Sequence, residues 1–395
     1  MKKLMILGAS YSQLPLYEAA RQLGAATVAA STPGDWPGFD VADESVYADI
    51  TDPEAILAAA QEKGIDGIAT CCLDAGVRAL GYTCEKMGMS GPSARAADIS
   101  NDKFKMKEAF MAGGVQCARH ICIHSLEELE EALEKLEFPV VLKAVDLMGS
   151  RGIFRCNTRE ETFFYYNKTM EATRKDYCLV EEFIEGQVLG CEAMIRDGRL
   201  LYCLPNNIEA FQSYVPTPIG HSVPYRKQEE LGAEVRHQVE LAIKAVGLDN
   251  CPVNCDLIEK DGKIYVIEIT GRAGGTCLPE MVSIYYGINY YEAIVRLALG
   301  MDVEEMFRGK TAGVANLSRT LLSEKDGVVK AIHNENEPAE DIVNLSFNIT
   351  PGEEVHHYTN GRDRLGQVIL RGESLESCEK RLQEILSKIN IEFTV

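Results

Sequence analysis

Four groups of residues, taken in chain order, carry side chains suited to a single piece of chemistry. They are Lys103; Lys143 with the loop Asp146-Leu147-Met148-Gly149-Ser150-Arg151-Gly152 behind it; residues 181–184; and the acids Asp256 and Glu268 followed by Arg272. Ammonium groups neutralise phosphate oxygens, a loop with glycines can fold over those oxygens and offer backbone N–H groups, and two carboxylates can hold magnesium between phosphates. In combination they equip a site for ATP.

Each group has a plainer alternative. Lys143 closes the apolar run FPVVLKA, a poor place for an ammonium without a counter-anion, because burying an unpaired charge costs several kcal/mol. A bound phosphate would be that anion; otherwise the side chain snorkels to solvent. The loop that follows adds donors on Ser150 and Arg151 and freedom at Gly149 and Gly152, although it lacks the GK[ST] ending of the phosphate-loop motif. Asp256 stands five residues before Asp261, and Glu268 six after Gly262, on two strands joined by the Asp261-Gly262 turn. That count sets the acids almost opposite one another. Facing carboxylates repel unless a proton or cation separates them, and hard Mg²⁺ suits such a pair; the alternative is two solvated surface acids.

The elements that must position these groups fall into three regions. Up to about Met89, strands and helices alternate (helices over 14–23, 53–63 and up to 87, with Thr51 and Glu54 spaced as a capping box), which predicts an open parallel sheet. The turn after the first strand, Gly8 to Gln13, lacks the second and third glycines of a dinucleotide site and reads as a strand-to-helix turn without a cofactor. From about Ser100 the pattern gives the helix NDKFKMKEAFMAGG, a strand over 119–123, helices capped by Ser125 with Glu128 and Thr158 with Glu161, and a hairpin of FPVVLKA with GIFRC. Longer antiparallel strands follow, turning at Asp197-Gly198 and Asp261-Gly262, with a helix over 229–246 between them. After Gly300 come four strands and a closing helix with Leu375, Cys378, Leu382, Ile385 and Ile389 on one stripe. The expected fold is an N-terminal open parallel α/β domain (1–98), a central domain of two α+β subdomains (99–305) and a small C-terminal α+β domain (306–395).

Composition narrows the partners. The chain of 395 residues is 46% hydrophobic with a net charge of −20, so its summed field disfavours nucleic acid and anionic membrane, and no apolar run is long enough to span a bilayer. The start, MKKLMILGASYSQL, reads as a first strand and not as a signal peptide. Thirteen cysteines, an odd number with no CxxC spacing, fit free thiols in a reducing cytoplasm. His120 and His124 sit in a strand-like run that argues against a helical metal pair, and His221 reads as an exposed loop histidine.

The segments DKFKMKEAFMAGGVQCARH, FPVVLKAVDLMGSRGI, CLVEEFIEG and NCDLIEKDGKIYVIEITGRAGG, in that order and spacing, resemble the ATP-grasp superfamily over residues 1 to about 305. The resemblance implies Lys103 and Lys143 on the phosphates, with Ser150, Arg151 and Gly152 in the loop above them. It further implies Glu181, Glu182, Phe183 and Ile184 as the adenine-binding hinge, Asp256 and Glu268 as ligands of Mg²⁺ or Mn²⁺, and Arg272 on an acyl phosphate or substrate carboxylate. Gly274 and Gly275 would let backbone amides approach that substrate. Two positions depart from the usual pattern: Thr270 stands where asparagine is common, and Gln187 and Val188 where a ribose-binding glutamate is usual. The activity implied is that of an ADP-forming ligase, which phosphorylates a carboxylate, an amino acid, and passes the acyl group to an amine. The resemblance also fits a homodimer. Two other readings stay open: a carboxyphosphate-forming enzyme resembling biotin carboxylase or carbamoyl-phosphate synthase, and a catalytically silent nucleotide-binding regulator.

Overall fold

The first strand, Lys3–Leu7, buries Leu4 to Leu7 completely. A strand covered on both faces belongs inside a parallel sheet. It pairs in parallel with Ala26–Ser31 on one side and Gly67–Ala69 on the other, and Glu44–Tyr47 forms the far edge. The computed structural model describes residues 1–147, 149, 151–211, 217–310, 313–359 and 363–394. The helices Leu14–Gln22, Pro53–Lys63 and Val77–Met87 lie as the periodicity predicts, but the cap of the second does not. Asp52, not Thr51, accepts from the N–H groups of Glu54 and Ala55, because Pro53 occupies the first helical position and fixes the cap one residue before itself.

A four-stranded antiparallel sheet follows, in the order His120–Ile123, Cys178–Glu182, Val140–Ala144, Ile153–Cys156. Helices Leu126–Leu133 and Arg159–Ala172 start at Ser125 and Thr158, whose hydroxyls accept from the N–H groups of Glu128 and Glu161. The two glutamates reach back one residue further than a capping box requires, to the N–H groups of His124 and Asn157.

The largest sheet has eight strands, in the order Lys263–Thr270, Cys251–Lys260, Gln187–Arg196, Arg199–Phe211, Thr217–Val223, Ala315–Leu322, Arg364–Gly372, Ile342–Phe347, all antiparallel. Helix Gln228–Val246 packs Val235, Val239, Ala242 and Ile243 against one face of it, together with Phe110 of helix Lys103–Gly113. Three of the strands from beyond Gly300, Ala315–Leu322, Arg364–Gly372 and Ile342–Phe347, therefore extend the same sheet that carries Asp256 and Glu268. Helix Leu375–Leu386 buries Leu375, Cys378, Leu382 and Ile385. Ile389 is not on that stripe: it opens the strand Ile389–Thr394, which pairs with Gly327–Asn334 in a three-stranded sheet. Among the described residues no helix is long and apolar enough to cross a membrane.

One contact ties the first sheet to the site. Cys71, just past Gly67–Ala69, bridges Ala273, and the N–H of Cys72 donates to the carbonyl of Ala273 at 3.0 Å.

Candidate active site

A cavity of about 240 Å³ lies between the four-stranded and the eight-stranded sheets, and its walls gather residues that are distant in sequence. Lys103, Lys107, Lys143, Gly149, residues 181–184, Asp256 and Glu268 all line it, together with apolar side chains such as Val141, Val188, Ile208 and Ile258. Asp102 caps helix Lys103–Gly113, and four-residue spacing brings Lys103 and Lys107 to the same face. Lys103 Nζ donates to the carbonyl of Leu147 at 2.7 Å and stands 3.5 Å from Glu268 Oε2.

Lys143 differs from the expectation in one respect. Its counter-anion is already present: Nζ lies 2.8 Å from Glu181 Oε2, and Lys107 approaches the same oxygen at 3.6 Å. Two ammonium groups thus share one buried carboxylate. Burial alone would raise the carboxyl of Glu181, but Lys107 and Lys143 outweigh it and hold the group below its ordinary range. Glu181 Oε1 has no partner among the described residues. Its carboxylate therefore lies among the lysines, while Glu182 pairs with Arg119 at 3.1 Å and the Phe183 N–H donates to the carbonyl of Pro139.

The acids on the Asp261-Gly262 hairpin face each other directly. Asp261 and Gly262 both take left-handed φ, 52° and 76°, which a two-residue turn between twisted strands demands. Asp256 is opposite Glu268, whereas Leu257 is opposite Val266, so Ile267 is the extra residue of a β-bulge. The bulge absorbs the odd residue in the count outward from the turn. Burial and then Glu268 push Asp256 up to about 7; Glu268, despite burial, is held low, first by Lys103. Thr270, across from Asn254, has a buried hydroxyl oxygen without a partner among the described residues. Among the described residues there is no cluster of three or more acid, thiol or imidazole ligands. Two facing carboxylates beside an unpaired hydroxyl fit Mg²⁺, which takes few protein ligands and fills its octahedron with phosphate oxygens and water.

Next to this pair is a second polar group that the sequence did not reveal. Glu192, fully buried on strand Gln187–Arg196, accepts from Asn254 Nδ2 at 2.8 Å and from the Gly274 N–H at 3.1 Å. A Cβ on Gly274 would meet Glu192 Oε1 at 2.6 Å, so only glycine permits this approach. Arg272 donates through Nε to Asp74 at 2.6 Å and through Nη1 to Asn254 Oδ1 at 3.0 Å. Asp74 lies just past strand Gly67–Ala69 of the first sheet, so this group joins two parts of the chain. Burial raises Glu192 to about 8, with Arg272 opposing. An acid raised in the folded state stabilises it at low pH and loses that contribution as pH climbs to the folded value. The wild-type protein is therefore expected to lose up to about 1.4 kcal/mol per pH unit between roughly 5 and 8 relative to Glu192→Gln. Parallel pH profiles of thermal unfolding for the two proteins would refute this.

The remaining expectations sort as follows. Ser150 lies outside the described residues; Arg151 is exposed, and the Gly152 carbonyl accepts from the Ala144 N–H at 2.9 Å. Gln187 is exposed while Val188 faces the cavity. His221 is not an exposed loop residue. It is buried on strand Thr217–Val223, with Nδ1 2.9 Å from Asn206 Oδ1, and burial lowers it to about 4. Lys107 had a sequence signal in its spacing from Lys103; Glu192 had none, because its partners lie 62 and 82 residues away.

A cavity between two sheets, lysines on one wall and paired acids on the other, defines the ATP-grasp class. Residues 100–276 match the ATP-grasp domain, and residues 319–394 match the L-amino acid ligase C-terminal domain 2. The crystal structure of phosphoribosylglycinamide synthetase from Anaerococcus prevotii superposes with a TM-score of 0.86 at 39% identity, covering 100% of both chains. That of L-amino acid ligase from Bacillus licheniformis gives 0.85 at 20% identity, over 100% of this chain and 99% of the other. Alanine–anticapsin ligase of Bacillus subtilis is 25% identical over 276 residues, 64% of this chain and 58% of that protein. The chain belongs to the ATP-grasp carboxylate–amine ligase family. It spans between 30% and 65% of the length of the first curated relatives it matches.

Proposed function

We propose that the protein is an ATP-dependent ligase that joins the carboxylate of an amino acid to an amine through an acyl phosphate, releasing ADP and phosphate. The observation that carries this reading is the juxtaposition, in one cavity, of Lys103, Lys107 and Lys143 with the facing acids Asp256 and Glu268, beside the Arg272 group. A carboxylate oxygen attacks the γ-phosphorus and ADP departs; the amine then attacks the acyl carbon, the bond to the phosphate oxygen breaks, and the amine's proton is released. Magnesium, when bound, would neutralise the phosphates from the side of Asp256, Glu268 and Thr270.

In this reading the protein's own groups bind and orient. Lys103 and Lys143 hold phosphate oxygens, the backbone of residues 181–184 with the side chains of Phe183 and Ile184 receives the adenine, and Arg272, fixed by Asp74 and Asn254, meets the acyl phosphate. Preorganised charge of this kind supplies most of such a rate enhancement, and no protein nucleophile is needed. The reading divides the chain at about 98 and 305, with nucleotide held by the middle portion and substrates reached from the flanking ones.

The test is a screen of ATP-dependent phosphate release over paired amino acids, with mass spectrometry of the product. A mass equal to a dipeptide is expected. ATP that binds yet yields no phosphate with any carboxylate and amine would leave only a nucleotide-binding regulator.

A further inference from the structure

A second cavity, of about 360 Å³, lies beside the loop that carries Arg272 and is lined in part by Thr276 and Cys277 of that loop. Its walls include Tyr11 and Ser12 in the turn after the first strand, Cys72 after Gly67–Ala69, Glu280 of helix Leu278–Tyr286, and Arg364 and Gln367 of strand Arg364–Gly372. That turn and Cys72 lie at the carboxyl ends of parallel strands, the usual position for a ligand crevice in an open α/β sheet. The turn that carries no dinucleotide glycines thus becomes one wall of a pocket. Cys72 Sγ donates to the Gly274 carbonyl at 3.1 Å, and the Gly274 N–H donates to Glu192, so this pocket and the Arg272 group share a backbone wall.

The pocket holds one charge of each sign, and each has spare hydrogen-bonding capacity. Tyr291 donates to Glu280 Oε1 at 2.7 Å, while Oε2 is buried with no partner among the described residues. Arg364 makes no ion pair or side-chain hydrogen bond among the described residues, although it lies in a chain of net charge −20. Cys277, whose Sγ is 3.2 Å from Gln367 Oε1, stands within electrostatic reach of both charges. A cavity with a carboxylate oxygen and a guanidinium that are both unpaired among the described residues is complementary to a small zwitterion.

We propose that this cavity binds the amine substrate as an α-amino acid, its ammonium directed to Glu280 and its carboxylate to Arg364. The assignment rests on the ligase reading above. The carboxylate held by Arg364 is kept away from the phosphates and stays free in the product, so this amino acid is the acceptor and the other substrate supplies the activated acyl group.

Isothermal titration with the twenty common amino acids, in the presence of Mg²⁺ and a non-hydrolysable ATP analogue, tests it. For each amino acid that binds, its methyl ester and N-acetyl derivative are titrated as well. At least one amino acid is expected to bind saturably, with each derivative about tenfold weaker or worse, the loss of one charge-assisted contact. Arg364→Gln should collapse the preference for acid over ester, and Glu280→Gln the preference for free over acetylated amine, with folding of each variant checked by its melting transition. The ester and acetyl comparisons use the wild-type chain, so they hold even where a variant fails to fold. No binding by any amino acid, equal binding of acid and ester, or preferences that survive both substitutions would overturn the assignment. Saturable binding without product in the phosphate-release screen would instead sink the ligase reading, whereas product formation with binding insensitive to both substitutions would sink only this pocket.

Discussion

Lys143→Ala is expected to lower ATP turnover by roughly two to three orders of magnitude, the usual loss when one preorganised electrostatic group is removed from a reacting phosphate or acyl centre. ATP affinity should fall with it. The substitution also strips Glu181 of its nearer partner, at 2.8 Å, and leaves Lys107 at 3.6 Å. Breaking a buried pair commonly costs about 3–5 kcal/mol, and the second ammonium should hold the cost near the lower end. Two readouts separate the effects: equilibrium unfolding reports the lost pair, and single-turnover phosphate release at saturating ATP reports the lost contact in the reaction. Lys107→Ala removes the more distant partner of Glu181 and serves as the comparison. Turnover in Lys143→Ala within about threefold of wild type would remove Lys143 from the site, because an effect that small lies below what a phosphate contact contributes.

Glu268→Gln and Asp256→Asn should each weaken the apparent affinity for Mg²⁺ in the presence of ATP by about a hundredfold or more, since a hard cation loses an anionic ligand for a neutral one. The two acids are not equivalent. Asp256 is raised to about 7 by burial and by Glu268, whereas Glu268 is held low by Lys103 despite burial. Below that value a proton competes with the metal for Asp256, so apparent Mg²⁺ affinity should improve by up to about tenfold per pH unit as pH rises toward 7, and level off above it. Asp256→Asn has no such proton to displace, and its affinity should be flat over the same window. Mg²⁺ titrations of phosphate release at pH 6, 7 and 8 measure both predictions. A wild-type profile as flat as that of the variant would show that the two acids do not share a cation.

What could be read from the residues alone depended on how local the determining contacts were. The Asp261-Gly262 turn and the strands beside it fix where Asp256 meets Glu268 through a dozen consecutive residues, and a count along the chain found the pair to within one position. Helix Lys103–Gly113 and its neighbours follow from side-chain periodicity and from caps such as Asp102. The anion at Lys143 did not follow, because antiparallel pairing of Val140–Ala144 with Cys178–Glu182 brings Glu181 from 38 residues away. Glu192 reads as one polar residue inside an apolar strand until Asn254, Arg272 and Gly274 are placed around it. His221 misled for a similar reason: prolines and polar residues around it suggest a loop, but pairing with Arg199–Phe211 and Ala315–Leu322 encloses it. The addition of C-terminal strands to the central sheet was equally hidden, since strand partners separated by about a hundred residues leave no periodic trace.

The bulge at Ile267 has a consequence for any attempt to rebuild this hairpin. Strict alternation from Val266, which faces the apolar core, would send Ile267 to the cavity and Glu268 back to the core. The single surplus residue inverts the parity of everything after it, so Glu268 and Ile267 both look into the cavity while Ile269 regains the core. The two halves of strand Lys263–Thr270 are therefore out of phase with each other. A donor hairpin spliced in on the turn side of residue 267 must match the phase of the first half, and one spliced in beyond it the phase of the second. A graft that ignores this would exchange carboxylate for isoleucine without altering the composition of the strand.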